Sequence, residues 1–156
     1  MVQKITSRPG QEAYLTGPNE TLSIPMIGAG VISDGDVVVR TTDGKSVALV
    51  SGATPTRFGV VVRNGVGKSG KDTSGNEAYQ LGDILPIKTI GTIWVKPDAP
   101  VTDITEKVYV KTANGTRGAP LGSLSSTAAD GTEFPNASWE TVTNPEGLAI
   151  LRLRGA

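Results

Sequence analysis

Short runs of valine, isoleucine and leucine, each closed by a turn carrying glycine or proline, recur along this chain, and no segment holds a sustained apolar stripe at the helical period. β-Branched side chains lose little rotamer freedom on a pleated strand. Twenty glycines and ten prolines in 156 residues would interrupt a helical bundle many times over. The chain is therefore expected to be all-β: a single small β-barrel or β-sandwich domain over residues 31–156, with long loops and an extended N-terminal arm over residues 1–30. With only two Trp, three Tyr and two Phe, its core must rest on aliphatic side chains.

The strand signals begin at Val31. Val37–Thr41 and Lys45–Val50 flank Thr42-Asp43-Gly44, and Asp-Gly predicts a hairpin with a type I′ turn. Phe58–Arg63 reads as a third strand. Ala78–Leu81, Ile84–Lys88 and Ile90–Lys96 follow. Over the last two, Leu85, Ile87, Ile93 and Val95 share one face at period 2, and Lys88, Thr92 and Lys96 the other. Gly91 between them predicts a bulge or bend. Val108–Thr112 ends at Ala113-Asn114-Gly115, and Leu148–Arg154 is the last strand. Residues 64–77 and 117–146 read as loops, with Ser126–Asp130 as the best candidate for a short helix. The arm has one expected short strand around Leu22–Ile24, and its apolar residues need a surface to cover. The chain's own domain is the simplest one.

The composition excludes much chemistry. The chain has no cysteine, so disulfides and thiolate catalysis are out, and no histidine, so the commonest general base and zinc ligand are missing. Fifteen basic and fifteen acidic residues cancel, leaving no global field to draw nucleic acid or an anionic membrane. No apolar run approaches the ~20 residues that span a bilayer. The first residues hold no apolar stretch of secretory length, so no signal peptide is expected.

The local motifs are weak. Gly67-Lys68-Ser69 hints at a phosphate loop, but Val62 stands where the first glycine of that motif belongs, and no helix can follow. Asp34, Asp36 and Asp43 lack the spacing of a calcium loop and fit turn chemistry. Trp139 reads as a core or interface anchor. Arg152 and Arg154 share one strand face, either solvated or facing carboxylates of a partner chain. Neither catalytic nor metal-binding residues nor a cofactor site are expected, and the chain is read as not an enzyme.

Several segments together resemble the cement (decoration) proteins of tailed bacteriophages. They are Asp36–Val39, Phe58–Val61, Gly91–Val95, Pro100–Thr102 with Lys107–Val110, Leu121–Ser123 and Gly147–Leu153. The resemblance implies a structural protein that binds the outer surface of a phage head and stabilises the lattice of the major capsid protein. It implies self-association as a dimer or trimer, and a place on the virion exterior after synthesis in the bacterial cytoplasm. It implies no nucleic-acid or membrane partner. Expected contact residues are Leu15, Leu22, Ile24, Met26 and Ile27 of the arm, together with Trp139, Arg152 and Arg154. The alternative is a receptor- or carbohydrate-binding β-domain of a head fibre or tail module.

Overall fold

The computed structural model describes residues 7–13, 17–51, 57–129 and 131–155, and among them it is all-β with no helix. The strands are β1 (Glu20–Pro25), β2 (Val37–Arg40), β3 (Val47–Leu49), β4 (Phe58–Val61), β5 (Gly70–Lys71), β6 (Glu77–Ala78), β7 (Ile84–Val95), β8 (Tyr109–Lys111), β9 (Leu124–Ser125), β10 (Gly131–Glu133), β11 (Ala137–Trp139) and β12 (Ala149–Arg154). Seven of them form one sheet, ordered β11-β12-β7-β4-β2-β3 with β1 also on β7. A second sheet is ordered β10-β8-β9, and β5 and β6 make a two-stranded ribbon. The main sheet is open, so it is not a closed barrel.

β7 organises the architecture. What reads in the sequence as two strands is one, twelve residues long. Its first half pairs antiparallel with β1, from Pro25↔Ile84 to Glu20↔Ile90, and with β4 at Val60↔Lys88 and Val61↔Ile87. Its second half pairs with β12, from Arg154↔Ile90 to Ala149↔Val95. Gly91 sits at the change-over with φ 124°, a conformation that side-chain-bearing residues rarely adopt. A Cβ there would lie 3.2 Å from Lys88 Nζ and 3.3 Å from Asn19 Oδ1.

The burial divides at this position. Leu85 and Ile87 join Ile24, Met26, Ile32 and Tyr79 in one core cluster. Ile93 and Val95 join a larger one that also takes Val108, Val110, Leu124 and Phe134 from the second sheet and its flanks. The two sheets thus share a core as two packed layers do.

The expected polar face of this strand is also buried. Lys88 and Thr92 are 0% and 2% exposed. The N-terminal segment explains it, because Gly10 N–H donates to the Trp94 carbonyl (2.8 Å) and Ala13 N–H to the Thr92 carbonyl (3.2 Å). Glu12 then meets the Lys88 ammonium at 2.6 Å. Lys96 alone of the three remains exposed.

Three turn expectations change. The β2–β3 hairpin forms, but of Asp43-Gly44 only Gly44 has positive φ, so the turn is not type I′. It closes instead by Thr41 N–H to the Ser46 carbonyl at 2.9 Å, with the Asp43 carboxylate accepting the Lys45 N–H at 3.0 Å. Residues 64–77 contain most of the β5–β6 ribbon, turned over Asp72, whose carboxylate accepts the amides of Ser74 and Asn76, each at 2.9 Å. The region 117–146 contains β9, β10 and β11, and residues 126–129 bend without helix.

Candidate interaction surface

The first described residues are sewn onto β7. Lys88 donates to the Asn19 side-chain oxygen as well as pairing with Glu12, so one buried ammonium holds two points of the N-terminal segment. A buried charge is tolerable only with such partners. Beyond it, Ile24 and Met26 turn inward, 6% and 1% exposed, and Leu22 packs against the same cluster. These three serve this chain's own core. Leu15 lies outside the described residues.

Ile27 is different. Met26 N–H donates to the Asp83 carbonyl (2.8 Å) and Gly82 N–H to the Met26 carbonyl (3.1 Å). That places the neighbours of these residues, Ile27, Leu81 and Ile84, at one end of the sheet. They are 42%, 66% and 61% exposed. Apolar side chains grouped this way are a candidate contact surface.

Trp139 is 3% exposed within the larger cluster, its indole N–H directed to the Lys107 carbonyl at 3.4 Å. The two C-terminal arginines part company. Arg152 forms a two-pronged pair with Glu140, Nε to Oε2 at 2.8 Å and Nη2 to Oε1 at 3.0 Å. This hydrogen bond, ahead of the attraction of the Arg152 and Arg154 charges, holds the Glu140 carboxyl below its usual range despite some burial. Arg154 is exposed and donates to the Ser138 hydroxyl at 2.7 Å.

Lys68, from the glycine-lysine-serine run, is tied down too. Its ammonium pairs with Asp34 at 2.9 Å and lies 5.4 Å from the centre of the Tyr79 ring. The neighbouring Asp36 accepts the Ser33 N–H at 2.8 Å, but burial pushes its pKa up to about 6, with the charges of Asp34 and Asp72 adding to the rise. Among the described residues no group of three or more acidic side chains is placed to hold a metal.

The model of the structural cement protein family (E217 gp24/Pam3 gp6) matches residues 6–154. The chain belongs to this family. A chain from the capsid of Myoviridae phage XM1 has the same fold, with a TM-score of 0.69 over 99% of this chain and 94% of that one, at 16% identity. No curated protein sequence matches. The role of this cement protein is structural.

Sequence reasoning missed Lys88 and Glu12. The signal available was a lysine inside a largely apolar run, Ile84–Ile90, which demands either a solvated face or a buried partner.

Proposed function

We propose that this cement protein binds the outer surface of a phage head through the major capsid protein and there stabilises the shell as a virion component. The observation that carries the reading is the family match over residues 6–154. The composition supports it: the chain lacks cysteine and histidine, and repetition over a symmetric lattice supplies avidity without a deep binding site. In this reading residues 7–13 and 17–30 belong to an arm laid along the chain's own domain. Ile27, with Leu81 and Ile84, then meets a shell subunit or a second copy about a symmetry axis.

The test is co-sedimentation of the purified protein with capsids lacking it, beside free major capsid protein. Saturable binding in a fixed ratio per capsid subunit is expected. Absence of binding to shells would overturn the reading and send the search to glycans.

A further inference from the structure

A cleft of about 390 Å³ opens beside Ile90, where the pairing of β7 passes from β4 to β12. Its apolar lining includes Phe58, Phe134 and Leu153, and the two phenyl rings meet at 5.3 Å between centroids, tilted by 54°. Three arginines stand around it, Arg40, Arg57 and Arg154, against the single carboxylate of Glu20. On a chain whose charges cancel overall, this is a local positive excess.

The polar groups have unequal freedom. The Glu20 carboxylate accepts the Thr89 hydroxyl at 2.6 Å. Arg40 is fixed by one prong, Nη2 to the Gly44 carbonyl at 2.9 Å, while its buried Nε–H finds no acceptor among the described residues. A buried donor without an acceptor costs free energy, so its retention needs a reason. Arg57 is exposed, and the Arg154 side chain donates to the neutral Ser138 hydroxyl. Guanidinium groups over an aromatic floor are suited to a carboxylate carried next to an apolar side chain, because the fork binds the one and the rings take the other.

We propose that this cleft is a socket for an acidic, apolar-flanked segment of the capsid protein. The inference rests on the cement reading and adds to it the chemistry of one contact. Arg57 and Arg154 form the accessible rim, and Arg40 adds its charge at the wall. The observations favour a peptide over nucleic acid, because an apolar floor with a resident Glu20 is poorly matched to a phosphate backbone, which is contacted through unopposed positive charge.

The test uses shells lacking the protein and compares the wild-type chain with the double variant Arg57→Glu/Arg154→Glu and with Lys71→Glu. The last places one reversal on the exposed β5, away from the cleft. Thermal melting checks that each is folded. Wild-type affinity is expected to fall as salt rises. The double variant is expected to bind shells at least about tenfold more weakly, with Lys71→Glu near wild type. Wild-type affinity in the double variant, or an equal loss in Lys71→Glu, would overturn the socket. So would a loss confined to binding of a duplex DNA probe. Failure of the wild-type chain to bind shells would instead overturn the cement reading, which keeps the two apart.

Discussion

The two halves of β7 bury their apolar side chains in different ways. After Gly91, Ile93 and Val95 face a core made by two sheets, with Val60, Leu151, Val110 and Leu124 all contributed from strands. Before Gly91, Leu85 and Ile87 face a smaller core to which Ile24, Met26 and Ile32 come from the N-terminal region. The first core is built mainly from strand residues, with Val101, Val108 and Phe134 added from the segments that flank them. The second depends on a segment that must be brought from the start of the chain and held there, and what holds it includes a charge. The contrast teaches that the N-terminal region is a structural member of the fold, attached partly by an ion pair whose worth depends on both partners being present.

The strongest way to break that contrast is to remove one partner. Glu12→Ala leaves the fully buried Lys88 ammonium with the Asn19 oxygen, and is expected to cost about 3 kcal/mol in urea-induced unfolding. The double variant Glu12→Leu/Lys88→Met replaces both charges by apolar chains of similar size and is expected to stay within about 1 kcal/mol of the wild type. A Glu12→Ala protein as stable as the wild type would show that the segment is held by its backbone bonds and apolar contacts alone.

A second measurement sharpens the comparison through pH. Asp36 directly precedes β2, which contributes Val37 to the larger core and Val38 to the smaller. Its pKa stands at about 6 in the folded chain against an ordinary 3.8. The folded state therefore holds this proton more tightly than the unfolded chain does, and stability falls as pH rises between about 4 and 6. Discounted for the solvent contact Asp36 retains, the loss amounts to about 2 kcal/mol. Asp36→Asn keeps an acceptor for the Ser33 N–H and is expected to abolish this slope, making the variant the more stable protein at pH 8. Parallel stability curves for variant and wild type across pH 4–8 would refute it.

The same contrast explains what was legible in the sequence. β2, β3, β4, β8 and β12 are β-branched or aliphatic runs bounded by turn residues, and local preference and tertiary pairing agree there. The β5–β6 ribbon is Gly-Lys against Glu-Ala, with no strand preference, and is set by the Asp72 turn and by Ser69 bonding Asp83. β9, β10 and β11 are two or three residues long and exist because a neighbour pairs them. Burial of Lys88 was hidden because Asn19 is 69 residues away in the chain. The exposure of Ile27 beside the buried Met26 follows from pairing with residues 82–83, which no local pattern announces. Arg40 and Arg57 come to one cleft with Arg154 only through the sheet order.

The smallest expected effect separates Arg152 from Arg154, two residues apart on β12. Arg152 and Glu140 are each about one-third exposed, with side-chain values of 34% and 31%, so even their two-pronged pair is expected to add only about 1 kcal/mol. The Glu140 carboxyl lies below its usual range, so that contribution is present at neutral pH and is lost as pH falls through the depressed value. Arg152→Ala should therefore lower the midpoint of denaturation at pH 7 and lose its deficit in acid. Arg154→Ala removes one hydrogen bond from an exposed side chain and is expected to change stability by no more than about 0.5 kcal/mol at either pH. If Arg154→Ala instead destabilised the fold as much as Arg152→Ala, the Arg154 side chain would be serving to hold the sheet together. Its place on the rim of the cleft would then lose its claim to a partner.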